Sequence, residues 1–188
     1  MTTNMAAAMI GRFQPFHLGH LELVRQILNE NDEIIILIGS SQANYTVKNP
    51  FTAGERIWMI RDSLIESKID MSKVFMINAT DDENNARWFS NIRSSTPPFK
   101  ILYTGNNFVR TLLKKETIII KKPRLLEENL LKGSVIRKLI LENNSKWQDL
   151  VSESVKKVFR EIAAVERIRS IHQAWMDSPF SEPKKYAE

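Results

Sequence analysis

The sequence predicts an α/β fold: a doubly wound parallel sheet with helices on both faces and a helical extension at the C-terminus. Three observations carry this expectation. Apolar runs of strand length alternate with amphipathic segments of helix length along most of the chain. The purest run, Ile34-Ile35-Ile36-Leu37-Ile38, is continuously apolar, which suits a strand buried on both faces of a parallel sheet. The loops richest in Gly, His, Asn and charge all follow strands, so they converge on the carboxyl edge of the sheet, where open α/β sheets bind ligands.

The elements follow in order. A strand over 5–10 leads into Gly11-Arg12-Phe13-Gln14-Pro15-Phe16-His17-Leu18-Gly19-His20. Pro15 holds its surroundings in extended or turn geometry, so the next helix, over 19–29, starts only after it. A strand over 33–38 precedes a helix over 53–67, whose Thr52 and Glu55 form a T-x-x-E capping box. Then come a strand over 73–78, a helix over 86–94, a strand over 100–103 and a helix over 107–114, before which Asn106 reads equally as a simple cap or as a ligand contact. Lys114-Lys115 and Lys121-Lys122 flank a strand over 117–121, where charge guards a sheet edge. Gly133-Ser134 reads as the capped start of a helix over 135–142, and a single long helix is predicted over 153–171. Residues 1–176 are expected to form one domain. Residues 177–188, with two prolines and few apolar side chains, are expected to be loose or docked in extended form.

The chain has 188 residues, 43% of them hydrophobic and 26% charged, the balance of a soluble globular protein with a real core. No apolar run approaches the roughly 20 residues needed to span a bilayer. Residues 1–9 lack the basic and hydrophobic segments of a signal peptide, so a cytoplasmic location without membrane attachment is expected. With no cysteine, disulfides and thiolate metal sites are excluded. The net charge of +5 favours anionic partners, but no nucleic-acid-binding motif accompanies it.

The chemistry concentrates at the first strand–helix junction. A helix start offers unpaired N–H groups and the positive end of the dipole, an anion site before any side chain is counted. His17 and His20 fall on that first turn. Arg12 adds a fixed cation, and Gly19 allows a ligand close to the backbone. Two histidines at this spacing could also bind a metal or simply pack and cap. A catalytic zinc site takes three protein ligands, however, and the third histidine, His172, is distant in the sequence, so no protein-held metal is expected. Phosphate binding suits Arg12, Gly19 and the two histidines together. Ser134 and Arg137 form a second constellation, open to reading as an ordinary cap and an exposed charge. Asp81-Asp82-Glu83-Asn84-Asn85 is an acidic, amide-rich loop before Trp88, a residue as suited to a core as to a ligand. Arg56, one turn into the capped helix, reads equally as a surface charge.

His17-Leu18-Gly19-His20 resembles the HxGH signature of the nucleotidyltransferase superfamily. The longer string GRFQPFHLGH, with Asn49-Pro50-Phe51-Thr52-Ala53-Gly54-Glu55-Arg56, Asn85-Ala86-Arg87-Trp88 and Gly133-Ser134-Val135-Ile136-Arg137, is similar to archaeal-type nicotinamide-nucleotide adenylyltransferases over residues 9–169. The resemblance implies a Rossmann-like sheet. It also implies adenylyl transfer from ATP, accompanied by Mg2+, to nicotinamide mononucleotide (NMN), giving NAD and pyrophosphate in one in-line step. On this resemblance His17, His20, Arg12 and Arg137 are catalytic. A nearby polyphosphate would favour the charged imidazoles. Gly11, Phe13, Gly19, Lys48, Gly133 and Ser134 contact ATP and its phosphates. Asp81, Asn85, Trp88, Gly105 and Asn106 contact the nicotinamide nucleotide, with Trp88 facing the cationic ring and Asn85 the carboxamide. Lys48 stands where the family carries arginine; it keeps a point charge and lacks the planar fork. Gly-Ser-Val-Ile-Arg replaces the commoner Ser/Gly-Thr-x-x-Arg and retains both hydroxyl and guanidinium. Family members are commonly multimeric, so a homo-oligomer is expected. Other acceptors, such as FMN, a phosphopantetheine precursor or a phosphoalcohol, and a non-catalytic nucleotide sensor are the competing readings.

Overall fold

A computed structural model describes residues 6–114, 116–124 and 131–178. Five strands form one all-parallel sheet in the order β3-β2-β1-β4-β5. They are β1 (Ala6–Gly11), β2 (Glu33–Ile38), β3 (Val74–Asn78), β4 (Phe99–Tyr103) and β5 (Ile119–Lys121). The chain reverses its winding direction between β1 and β4, which opens a crevice at their carboxyl ends. The α-helices are α1 (Leu18–Glu30), α2 (Ala53–Glu66), α3 (Asn85–Ser95), α4 (Asn107–Leu112), α5 (Gly133–Leu141), α6 (Glu153–Glu161) and α7 (Ala164–Met176).

Period-two geometry explains the continuous apolar run. Ile34, Ile36 and Ile38 point into one core, with side chains from α1, α2 and the C-terminal helices. Ile35 and Leu37 point into a second core, with Phe89 and Ile92 of α3 and Val109 and Leu113 at α4. Ala7 and Met9 of β1 alternate with Ala6 and Ala8 in the same way. Both faces of the central strands are therefore covered, as the sequence predicts.

The capping box on α2 forms as predicted: Glu55 N–H donates to Thr52 Oγ1 (3.2 Å) and Thr52 N–H to Glu55 Oε2 (2.9 Å). Arg167 of α7 then grips both oxygens of Glu55, at 2.7 and 2.8 Å. β5 is an edge strand, shorter than expected. Its Lys121 donates to Glu30 Oε2 (2.8 Å) and to Tyr103 Oη (3.2 Å), and the first of these bonds is the main cause holding the Glu30 carboxyl low.

Two expectations fail. The long helix over 153–171 is two helices, broken at Ala163, which adopts a left-handed conformation (φ 48°). No Gly or Pro marks the break. Tertiary packing imposes it: α6 lies against α2 while both α6 and α7 contact each other and α7 reaches α5, and Arg167 Nη2 donates to the freed Ile162 carbonyl (3.2 Å). The helix at Ser134 begins earlier than predicted. Lys132 is its N-cap and makes no side-chain capping bond, so Ser134 sits inside the first turn and caps nothing. Asp177 and Ser178 end the described chain; the rest of the expected tail, 179–188, together with Met5 and Lys115, lies outside the described residues. Among the described residues no helix is long and apolar enough to cross a membrane.

Candidate active site

A crevice of about 360 Å³ lies beyond the carboxyl ends of the strands. Four consecutive strand ends build it. β1 contributes Gly11 and Arg12, β2 leads into Gly39 and Ser40, and β3 runs into Asp81, Asp82, Asn85 and Trp88. β4 leads into Thr104, Gly105, Asn106 and Phe108. All five residues expected to contact the nicotinamide nucleotide, Asp81, Asn85, Trp88, Gly105 and Asn106, thus line one cavity, together with Gly11 and Arg12.

Asn85 and Trp88 lie on the first turn of α3, three residues apart, and face the same space. Trp88 is half-buried, packed partly on the second core while it lines the crevice. The acidic loop is internally ordered. Asp82 accepts from Asn84 N–H (2.8 Å), Arg87 Nη2 (3.3 Å) and Asn91 Nδ2 (3.3 Å). Asp81 and Gln42 bond each other twice, at 3.2 and 3.3 Å, which ties the loop after β3 to the loop after β2. Asn106 caps α4 through its side chain (Phe108 N–H, 2.9 Å), and Gly105 has open space around it.

The second half of the site gathers at the N-terminal ends of α1 and α5. His17 is the N-cap of α1 and is buried. Its ring stacks on His20, centroids 3.6 Å apart. His17 N–H donates to His20 Nδ1 (3.3 Å), which leaves the His20 proton on Nε2. Burial pushes the His17 imidazole down to about 4. Burial, and then the neighbouring His17, push His20 well down too. As folded, the pair is neutral at pH 7, and His17 Nδ1 is buried with no hydrogen-bond partner. Arg137 is half-buried, with Nη1 donating to the Gln14 carbonyl (2.6 Å). Burial first, and the Arg12 charge second, lower it to about 10. Like charges held this close are stabilised when an anion lies between them.

The remaining expected residues fall into three groups. Ser134 is exposed on the first turn of α5, and Lys48 is exposed on the long loop before α2. Phe13 is a core residue: its ring meets His20 edge-on at 4.8 Å and backs Gly11, where an added Cβ would come within 2.9 Å of it. Gly19 and Gly133 are glycines for packing. A Cβ on Gly19 would press Leu131 and His17, at 3.0 and 3.3 Å, so its space is filled by protein and is not an open path for a ligand. A Cβ on Gly133 would lie 2.7 Å from the Gln14 carbonyl oxygen.

Sequence reasoning missed two residues and left a third open. Gln14 is buried and pairs through its amide with both backbone groups of Phe51, at 2.9 Å each, joining the first loop to the start of α2. Arg56 is fully buried rather than exposed. Phe108, 61% exposed, lines the crevice from the β4 side. The signals were faint: a polar residue inside the string GRFQPFHLGH, and an arginine four residues after a cap.

Comparison with known proteins gives the family and the fold. Residues 8–158 match the cytidylyltransferase-like family. A nicotinamide-nucleotide adenylyltransferase of Caldivirga maquilingensis is 44% identical over 162 residues, covering 86% of this chain and 91% of that one. One from Methanococcus maripaludis is 45% identical over 169 residues, covering 90% and 96%. The fold is similar to that of a bifunctional NMN adenylyltransferase/ADP ribose pyrophosphatase from Francisella tularensis, with a TM-score of 0.69 at 20% identity, covering 95% of this chain and 58% of that one. The chain is a nucleotidyltransferase of the HxGH superfamily and belongs to the nicotinamide-nucleotide adenylyltransferase family.

Proposed function

We propose that this protein transfers the adenylyl group of ATP to NMN, forming NAD and pyrophosphate. One observation carries the reading. A crevice lined by an indole face and side-chain amides adjoins, through the loop from Gly11 to His20, a cluster of two arginines and two imidazoles. The first half suits a nicotinamide nucleotide, the second a polyphosphate.

A phosphate oxygen of NMN attacks the α-phosphorus of ATP. The bond from that phosphorus to the β-phosphate bridging oxygen breaks, and pyrophosphate leaves with the electron pair. The nucleophile is already anionic, so no covalent enzyme intermediate is needed. What the protein supplies is alignment of two polyanions and charge stabilisation that is strongest in the transition state. His20, its proton on Nε2, donates to a transferring or leaving oxygen, and His17 supports it through the stacked ring. Arg12, Arg137 and Ser134 hold the outer phosphates, and the main chain at Gly11 and Phe13 borders them. Lys48 adds a point charge from the loop before α2. Trp88 stacks on the pyridinium ring while Asn85 holds the carboxamide. Asp81, Gly105 and Asn106 complete the acceptor's nucleotide pocket. Mg2+ accompanying ATP would screen its phosphates.

Pyrophosphate release from Mg-ATP with a panel of acceptors tests the proposal. Release with NMN, and not with FMN, a phosphopantetheine precursor or a phosphoalcohol, is expected. Preference for one of those acceptors overturns the substrate, and ATP binding without turnover overturns the reaction.

A further inference from the structure

Among the described residues Arg56 is the largest fully buried side chain, and adenylyl transfer as derived above makes no use of it. A buried guanidinium ordinarily meets a carboxylate. Arg56 instead meets five backbone carbonyls. Nε donates to Thr52 O (3.2 Å), Nη1 to Arg12 O (3.0 Å) and Gly39 O (2.8 Å), and Nη2 to Ser40 O (3.2 Å) and Ser41 O (3.3 Å). Its whole donor fork is engaged. The partners belong to three segments: the loop after β1, the loop after β2 and the cap of α2. The opposing charge that acts on it is Asp81, in the loop after β3.

Two of these loops carry unfavourable backbone. Phe13 (φ 51°) and Ser40 (φ 48°) are both left-handed, although neither is glycine or asparagine. Such conformations persist only where the surroundings over-determine them. Each has a carbonyl drawn onto Arg56, at or beside it. A trans peptide points its C=O and N–H in opposite directions. With the oxygens of Arg12, Gly39 and Ser40 turned back onto the guanidinium, the N–H groups of Phe13, Ser40 and Ser41 point away from it. Ser41 N–H reaches Ala79 O (3.2 Å), the start of the loop after β3. Gly39 and Ser40 line the crevice, with Arg56 behind them.

We propose that Arg56 is a positioning residue for adenylyl transfer: from beneath the crevice it fixes the left-handed turns at Phe13 and Ser40, and so sets the spacing between the imidazole–arginine half of the site and the crevice wall. This rests on the reaction assigned above. It acts through peptide groups and touches no substrate.

Arg56→Lys tests it, because lysine keeps the charge and loses the planar fork. The variant is assayed at a temperature where circular dichroism shows it as folded as the parent. Misplacement of loops by about an ångström predicts a fall in kcat of about 10²-fold, with KM for either substrate changed far less. In Arg56→Ala, guanidinium added below its denaturing range is expected to restore part of kcat with no change in folded fraction. A folded Arg56→Lys within about threefold of the parent kcat, or a rescue that only follows folded fraction, overturns the proposal. If neither variant folds, the unmodified protein decides by NMR. Mg-ATP is then expected to shift the Phe13 and Ser40 amide resonances together, and silence at both overturns it. If the unmodified protein makes no NAD, the assigned reaction fails, and the role of Arg56 in it fails with it; NAD formation by the parent together with a folded Arg56→Lys at parental kcat fails the positioning role alone.

Discussion

Replacing Gly133 by alanine perturbs the join between the two phosphate-facing segments. The new Cβ would lie 2.7 Å from the Gln14 carbonyl oxygen and 3.2 Å from its carbon, where ordinary contact begins at 3.4 Å. The Gln14 backbone has little room to yield, because the side chain of the same residue is bonded twice to Phe51. The start of α5 must therefore move by several tenths of an ångström, carrying Ser134 and Arg137 with it and stretching the 2.6 Å bond from Arg137 to Gln14. Alanine gains up to about 1 kcal/mol of helix propensity, while overpacking costs about 1–3 kcal/mol. The expected net loss of about 1–2 kcal/mol lowers Tm by roughly 2–8 °C in a domain of this size. The displacement of Arg137 is expected to lower kcat/KM for Mg-ATP by about 10-fold, a fraction of the 10²-fold attached to a full ångström. Thermal unfolding and steady-state kinetics with each substrate varied in turn read both effects. A Gly133→Ala protein with parental Tm and parental kcat/KM for ATP would refute the reasoning.

Removing the His20 imidazole, in His20→Ala, is expected to lower kcat by about 10²–10³-fold, with Tm affected far less; near-parental turnover in a folded variant removes the histidine from the reaction. Trp88→Ala is expected to weaken NMN and NAD by about 1–2 kcal/mol while sparing ATP, measured by titration calorimetry; equal losses for all ligands would return Trp88 to a purely packing role. Arg137→Ala is expected to weaken ATP and leave NMN nearly unchanged, with Arg137→Lys recovering only part of the loss. Stability should also depend on acid. His17 falls from 6.5 to about 4 on folding, so between those values the unfolded chain binds the proton and the folded chain does not. Stability is full above about pH 6.5 and declines as pH falls toward 4, by up to about 3 kcal/mol from this residue. A pH series of Tm in which His17→Asn does not flatten the acid limb would contradict the neutral, buried imidazole.

The sheet and the residues that line the crevice were legible because each rests on a local signal. The run from Ile34 to Ile38 announces a doubly covered strand, and its alternate side chains do enter two cores. The T-x-x-E box announces α2, and both of its reciprocal bonds form. Asn85 and Trp88 at helical spacing reach one crevice because α3 starts where the motif says. What escaped the sequence is set by distant contacts. The break at Ala163 has no local breaker; Arg167 and the different packing of α6 and α7 enforce it. Ser134 resembled a cap, but the close approach of Gly133 to Gln14 belongs to residues more than a hundred positions apart. Arg56 was ambiguous because helical periodicity reports which way a side chain points, whereas its burial depends on five carbonyls that three separate segments bring to it.

The central claim is a single direct transfer of the adenylyl group to NMN. ATP carrying a sulfur of defined chirality at the α-phosphorus tests it most directly, with NMN as acceptor and the product analysed for identity and configuration. One in-line displacement predicts a thio analogue of NAD, inverted at phosphorus and formed in step with pyrophosphate. Retained configuration would reveal two displacements through an adenylylated enzyme, and absence of the NAD analogue under conditions that release pyrophosphate would assign the adenylyl group to another acceptor.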